Sequence, residues 1–206
     1  MATALFGGTF DPVHKGHLAV AQAALEDRRF ALDRVVFVPA DIPPHKQQQP
    51  ITPYHPRYAM LELALREYPK FTASRIEDPQ ETKGEPNYSI NTIRRYKREN
   101  GLKTDDLYFI IGIDSFLAIS TWRDPQALLQ ECRFIVASRP GFTMADINAA
   151  LPGFANTGNV NLLETVAVDV SSTQIREAIA HRDPLDKYVL PPVAAYIEKH
   201  RLYGYR

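Results

Sequence analysis

Short apolar runs alternate with stretches of helical periodicity along this chain, and this alternation limits its fold more than any other feature. Strands are predicted at 3–6, 34–38, 71–74, 107–112, 134–137 and either 160–163 or 166–168. Helices are predicted at 17–27, 56–68, 89–100, 125–130, 144–150, 172–180 and 191–200. Such alternation predicts βαβ units and a mostly parallel sheet. We therefore expect a doubly wound α/β fold, with helices on both faces and a helical C-terminal end.

Bulk properties narrow the class of protein further. The 206 residues suit one domain, 1–206, with the helical portion from about 171 to 206 packed on it. Lysine plus arginine and aspartate plus glutamate both number 24, so no overall charge favours nucleic acid or a membrane. Cys132 is the only cysteine and follows the pattern of a core residue. No run approaches a membrane span of roughly 20 residues, which favours the cytoplasm.

The segment Gly7–His17, with sequence GGTFDPVHKGH, joins the first strand to the first helix. Glycines in such a turn permit positive φ and leave backbone amides accessible, and the helix directs its positive end towards a phosphate. His14 and His17 would share one face and donate N–H groups to phosphoryl oxygens. Two alternatives remain: the histidines only cap and pack the turn, or they bind zinc, which lacks further ligands here.

A second motif, VSSTQIR at 170–176, begins another helix. Its hydroxyl residues could simply cap that helix and leave Arg176 on the surface. Alternatively, Ser172, Thr173 and Arg176 form a second phosphate-binding helix start, opposite the first. Two such helix starts could hold a triphosphate between them.

Both motifs resemble those of the nucleotidyltransferase superfamily, whose His-x-x-His group handles the ATP triphosphate. Other segments resemble one branch, the bacterial nicotinate-mononucleotide adenylyltransferases. These segments are PPHK at 43–46, NYSINT at 87–92, GID at 112–114, Trp122 within STWRD, SRPG at 138–141 and the C-terminal VAAYI. The resemblance covers nearly the whole chain and implies a Rossmann-like fold.

The resemblance also implies a set of site residues. Those expected to take part in catalysis are His17, His14, Lys46 and Arg176. Those expected to bind ATP are Gly8, Thr9, Phe10, Asp11, His14, His17, Gly112, Asp114, Ser172, Thr173 and Arg176. Those expected to bind nicotinate mononucleotide are Thr92, Trp122, Arg139, Asp114, Lys46 and Tyr88. Outside the resemblance, Lys46 could be a solvated lysine, Trp122 a core anchor and Arg139 a surface ion-pair partner.

The implied reaction moves AMP from ATP to nicotinate mononucleotide, giving deamido-NAD and pyrophosphate for NAD biosynthesis. Mg²⁺ is expected on the phosphates, without a dedicated protein metal site. Two alternatives stay open: an adenylyltransferase that prefers nicotinamide mononucleotide or phosphopantetheine, and a non-catalytic nucleotide sensor. The partners are then small molecules, without nucleic acid or membrane, and the oligomeric state stays open, a homo-oligomer included.

Overall fold

The computed structural model describes residues 1–43, 50–138, 141–153, 158–164 and 170–205. These residues contain a six-stranded sheet in the order β3-β2-β1-β4-β5-β6. The strands are β1 (Ala2–Gly8), β2 (Leu32–Pro39), β3 (Phe71–Ala73), β4 (Leu107–Gly112), β5 (Arg133–Ser138) and β6 (Val160–Glu164). All five pairings are parallel, as the sequence pattern predicts. The sixth strand is the 160–163 alternative, and 166–168 lies outside the described residues.

The helices cover both faces of this sheet. They are α1 (Lys15–Glu26), α2 (Tyr54–Leu65), α3 (Pro79–Thr82), α4 (Ser89–Asn100), α5 (Ile113–Leu117), α6 (Pro125–Glu131), α7 (Met144–Ala150), α8 (Ser172–His181) and α9 (Pro191–Lys199). The sequence predicts seven of these to within a few residues and misses the short α3 and α5. Among the described residues, no helix is both long and apolar enough to cross a membrane.

Side chains that alternate along the central strands divide the core in two. Phe6 and Ile110 join a cluster with residues of α1, α2, α8 and α9, which we call the α1 face. Leu5 and Phe109 join the opposite cluster with residues of α4, α5 and α6, which we call the α4 face. Ile175 and Val193 belong to the α1-face cluster, so the C-terminal helices pack on the sheet, as expected. Cys132 is fully buried on the α4 face, also as expected.

The two glycines that end β1 correct one expectation. Gly7 and Gly8 are part of the extended strand, and the residue with positive φ is Phe10, at 49°. A Cβ on Gly7 would lie 2.9 Å from the Phe109 ring, and one on Gly8 would lie 2.9 Å from the Phe10 ring. Glycine is therefore required here because aromatic rings pack against the strand. The positive φ occurs two residues after Gly8, at Phe10.

We predict that Gly7→Ala destabilises the fold by about 1–3 kcal/mol, because the Phe109 ring must shift within a packed core. Gly112→Ala is the matched control, because a Cβ there meets nothing within 4 Å and its φ is an ordinary −71°. We expect that change to stay within about 0.5 kcal/mol. Urea denaturation of both variants measures the difference, and equal stabilities would contradict the packing argument.

Candidate active site

A cleft of about 660 Å³ opens at the carboxyl ends of β1 and β4. These strands are neighbours although α1 to α4 separate them in the chain. The helix after β1 packs on the α1 face and the helix after β4 packs on the α4 face. A crevice between strands whose connections leave to opposite faces is where doubly wound sheets bind ligands. The cleft therefore lies where the topology predicts a site.

His14 and His17 form a reciprocal cap at the start of α1. The His14 Nδ1 atom accepts from the His17 backbone N–H at 3.3 Å, and the His17 Nδ1 atom accepts from the His14 backbone N–H at 3.3 Å. The two rings stack with centroids 3.7 Å apart. Both residues also line the cleft. The capping alternative is thus correct for the Nδ1 atom of each ring.

The environment of His14 fixes its charge as well as its tautomer. Burial lowers its pKa to about 4, so the ring is neutral near pH 7. Because Nδ1 accepts a hydrogen bond, the single ring proton resides on Nε2. His14 therefore presents an uncharged N–H donor that needs no proton from solvent to act.

We predict that ring ¹⁵N spectra will show His14 as the neutral Nε2–H tautomer at pH 6, where an unperturbed histidine with pKa about 6.5 is mostly protonated. Since the folded pKa lies below the unfolded one, only the unfolded chain takes up this proton between about pH 6.5 and pH 4. The histidine's contribution therefore lowers stability as pH falls through that window. A charged His14 ring at pH 6 would contradict this assignment.

The ring of Phe10 packs against one ring of the histidine pair. Phe10 is 1% exposed, and its ring centroid lies 4.9 Å from that of His17 and 5.7 Å from that of Phe6. Phe10 is not among the cleft-lining residues. Phe10 therefore packs against the His17 ring, and its role in ATP binding stays a prediction.

Arg57 of α2 organises the loop that joins β1 to α1. It is 1% exposed, and its guanidinium donates to the Thr9 carbonyl at 2.6 Å and to the Thr52 carbonyl at 2.7 Å. Burial lowers its pKa, and Asp11 and Asp41 counter that effect by their charge. The cation ties the loop, where Thr9 lines the cleft, to the chain that enters α2.

The start of α8 docks on the same loop. The Ser172 hydroxyl donates to the Pro12 carbonyl at 3.0 Å, and Arg176 donates to the Asp11 carbonyl at 2.7 Å and to the Thr173 hydroxyl at 3.1 Å. Val170, just before α8, lines the cleft, whereas Ser172, Thr173 and Arg176 do not. The predicted cap is also present, with Ser171 as the capping residue. The two motifs therefore meet through the backbone of the β1–α1 loop.

Asp11 has structural partners. Its carboxylate accepts from the Tyr203 hydroxyl at 2.8 Å and from the Thr52 backbone N–H at 3.2 Å. It is 6% exposed and does not line the cleft. The residue predicted to bind ATP therefore anchors the C-terminal end of the chain to the β1–α1 loop.

Gly112 and Asp114, at and just after the end of β4, both line the cleft. Gly112 ends the strand and Asp114 lies in the first turn of α5. A Cβ on Gly112 would enter open space, so the fold itself does not require this glycine. Ile113 between them points into the core and is 7% exposed.

Aromatic and polar side chains form another part of the cleft lining. Trp122 and Tyr88 both line it and pack partly on the α4-face cluster. The Arg123 guanidinium carbon lies 5.1 Å from the centre of the Tyr88 ring. Thr92, from the first turn of α4, also lines the cleft and is 8% exposed.

Glu77 lies beside Thr92 and also lines the cleft. The Thr92 hydroxyl and the Glu77 carboxyl are 2.5 Å apart, and Glu77 is 7% exposed. Burial raises the Glu77 pKa to about 7. The next residue, Asp78, is 4% exposed and caps α3.

Two predicted residues, Lys46 and Arg139, lie outside the described residues. The other residues predicted for the cleft divide into two groups. The cleft is lined by Gly8, Thr9, His14, His17, Tyr88, Thr92, Gly112, Asp114 and Trp122. Phe10 and Asp11 of the β1–α1 loop, and Ser172, Thr173 and Arg176 at the start of α8, are not among the lining residues.

Comparison with known proteins identifies the family. Residues 5–178 match the cytidylyltransferase-like family model. A protein of Moorella thermoacetica named "Probable nicotinate-nucleotide adenylyltransferase" is 42% identical over 97% of this chain and 90% of its own length. A protein of Symbiobacterium thermophilum with the same name is 43% identical over 97% and 94%.

The chain belongs to the nicotinate-nucleotide adenylyltransferase family. It is accordingly an enzyme of the nucleotidyltransferase class. The fold agrees with that of Plasmodium falciparum nicotinic acid mononucleotide adenylyltransferase, solved in complex with NaAD. The TM-score is 0.78, at 20% identity, over 100% of this chain and 98% of that one.

The sequence patterns did not point to Arg57 or Glu77, although each residue departs from the pattern around it. Arg57 interrupts the apolar helix stripe formed by Tyr54, Tyr58 and Leu61, and a charge on a buried stripe needs a partner. Glu77 follows β3, the next strand but one from β1, at the sheet edge where ligands bind. For Arg57 the signal is a charged residue on an apolar helix stripe, and for Glu77 it is a charged residue at the edge of the sheet where ligands bind.

We predict that Arg57→Lys destabilises the adenylyltransferase by about 1–3 kcal/mol, because one ammonium cannot reproduce two guanidinium bonds in the same geometry. Arg66→Lys on the exposed end of the same helix is the control and should change stability by less than about 0.5 kcal/mol. Denaturation of both variants makes the comparison. If Arg57→Lys were as harmless as Arg66→Lys, Arg57 would not organise the loop.

Proposed function

We propose that this chain transfers the AMP moiety of ATP to the 5′-phosphate of nicotinate mononucleotide, releasing pyrophosphate and forming nicotinate adenine dinucleotide for NAD biosynthesis. One observation carries the proposal: a single cleft is lined both by a pair of imidazole rings and by aromatic and hydroxyl-bearing side chains. The imidazoles would form a phosphate end that suits a triphosphate, and the other side chains would form an acceptor end that suits a pyridine ring with a polar substituent. Both proposed substrates occur in the cell interior, so the cytoplasm is the location we propose.

At the phosphate end, His14 and His17 would donate from Nε2 to the β- and γ-phosphates. Backbone amides at the start of α1 and the positive end of that helix add further attraction for anions. Lys46 and Arg176 retain their predicted roles with these phosphates. Arg176 uses two of its five N–H donors within the protein, and the others remain for a ligand.

Between the two ends, Gly112 would allow the adenosine to approach the β4 backbone, and Asp114 would accept from a ribose hydroxyl. Trp122 would stack on the pyridine ring, with Tyr88 beside it. Arg139 retains its predicted role with the mononucleotide phosphate.

The first turn of α4 supports an acidic acceptor. Ser89, Ile90 and Thr92 line the cleft, and within the described residues no side chain caps the N-terminus of this twelve-residue helix. An uncapped helix start offers backbone N–H groups and partial positive charge. A nicotinate carboxylate gains from both, whereas a neutral amide gains little.

The reaction needs no covalent enzyme intermediate. An oxygen of the acceptor phosphate attacks the α-phosphorus of ATP, a new P–O bond forms, and the bond from that phosphorus to the bridging oxygen breaks. The electron pair leaves with pyrophosphate, whose growing charge the imidazole donors stabilise. Catalysis then consists of alignment and charge stabilisation.

Mg²⁺ is part of the proposal. No three His, Cys, Asp or Glu side chains come together in the part of the chain that the structure describes. We propose that Mg²⁺ enters bound to ATP, as it commonly does, and not through a dedicated protein site. When bound, Mg²⁺ neutralises phosphate charge.

We predict that His17→Ala lowers turnover by ~10²- to 10³-fold, because one aimed donor to the leaving group is lost. The exposed His200→Ala serves as the control and should retain full activity. Pyrophosphate release is the readout, with denaturation curves to establish that both variants fold. A folded His17→Ala variant with wild-type turnover would exclude the proposed role.

The same assay separates the acceptors. With ATP present, nicotinate mononucleotide, nicotinamide mononucleotide and phosphopantetheine are supplied in turn, and kcat/KM is compared. We expect the nicotinate compound to be used best. Equal or better use of the amide would reverse that choice, and tight ATP binding without pyrophosphate release from any acceptor would favour the nucleotide sensor.

A further inference from the structure

We propose that Glu77 determines, through Thr92, whether the cleft accepts a carboxylate or an amide on the acceptor ring, and that the enzyme takes up one proton when it binds the carboxylate. This inference rests on the proposed function. It makes Glu77 a positioning residue that acts through the Thr92 hydroxyl.

The argument begins with the single proton of the Thr92 hydroxyl. That hydroxyl lies 2.5 Å from the Glu77 Oε1 atom and 3.4 Å from the Tyr88 carbonyl oxygen. An ionised carboxylate can only accept. While Glu77 is charged, the Thr92 proton is committed to it, and Thr92 presents only lone pairs to the cleft. Those lone pairs suit the N–H of an amide and repel a second carboxylate.

Protonation of Glu77 reverses the direction of this hydrogen bond. The carboxylic acid then donates to the Thr92 Oγ1 atom, and the threonine proton becomes available to a ligand carboxylate. No heavy atom needs to move, since only a proton is added and one hydroxyl rotates. The two protonation states therefore present opposite hydrogen-bonding character to the same ligand group.

The groups around Glu77 make this change accessible near neutral pH. Burial and the charge of Asp41 raise the Glu77 pKa, while the Thr92 hydroxyl and Arg57 lower it, and the result is about 7. Arg57 is bound to two carbonyls, and the adjacent Asp78 carboxylate caps α3 and pairs with Arg75 at 3.5 Å. Burial and the charges of Asp78 and Glu77 raise the Tyr54 pKa. An incoming ligand carboxylate adds negative charge and favours the protonated form further.

The decisive experiment compares kcat/KM for the acid and amide mononucleotides from about pH 6 to pH 9. Both share one phosphate, and neither ring substituent titrates in this range, so their ratio isolates the enzyme group. We expect the acid-to-amide ratio to fall about tenfold per pH unit above pH 7, since only the protonated form of Glu77 serves the acid. A ratio that is independent of pH would overturn the proposal.

Glu77→Gln tests the residue itself. Its side-chain amide donates permanently to Thr92, so we expect acid preference to persist with a ratio that no longer depends on pH. Glu77→Leu, which has no donor, should lose that preference through KM more than through kcat. The exposed Glu85→Gln is the matched control and should retain the wild-type profile. A wild-type pH profile in folded Glu77→Gln would contradict the assignment.

Calorimetry provides a readout that uses only the wild-type protein. Titrations at pH 8 in buffers of different ionisation enthalpy give the number of protons taken up with each mononucleotide. We expect the acid to take up close to one proton more than the amide, and no excess would overturn the proposal even if the variants did not fold. If neither mononucleotide supports pyrophosphate release, the proposed function fails; if the acid is used but the ratio is flat, only the Glu77 inference fails.

Discussion

The parallel pairing of β1 with β4 is the constraint on which the rest of the site depends. These strands lie side by side, with Phe6 opposite Ile110, although about a hundred residues separate them in the chain. Their connections leave to opposite faces, and this divergence opens the cleft at their carboxyl ends. The cleft is lined by residues of these two strands, of the segments that follow them and of α4.

The histidine pair shows how one side chain can serve both folding and chemistry. Each imidazole accepts at Nδ1 from a backbone N–H at the start of α1, and the His17 N–H also donates to the His14 carbonyl at 3.0 Å. The cap fixes the tautomer, and the tautomer fixes which nitrogen donates to the cleft. Gly16 belongs to the same arrangement, because a Cβ there would lie 3.0 Å from the His14 ring. The spacing of the motif therefore fits helix capping as well as the phosphate binding that we propose.

The sequence predicts the architecture well because apolar alternation records which faces are covered. Strand 108–111 is continuously apolar because both faces of β4 are buried, and the motifs fall at strand ends because parallel strands align those ends. What the pattern could not reveal is which partners the side chains near the loops contact. Asp11 and Arg176 are charged residues of recognisable motifs, yet Asp11 holds Tyr203 and Arg176 holds the Asp11 carbonyl. Such contacts join residues 165 or more positions apart, which no local pattern encodes.

The buried charges around the β1–α1 loop form one balanced set, and that balance explains why Glu77 can titrate near neutrality. Arg57 is the buried cation of this region, with Asp11 and Asp41 acting on it as anions. Arg57 donates to the Thr9 and Thr52 carbonyls, and among the described residues no hydrogen bond joins it to Glu77. In that part of the chain the Glu77 carboxyl pairs with the Thr92 hydroxyl and not with a cation that would keep it ionised. The buried cation that holds the β1–α1 loop thus leaves a proton-sensitive carboxyl in the same cleft.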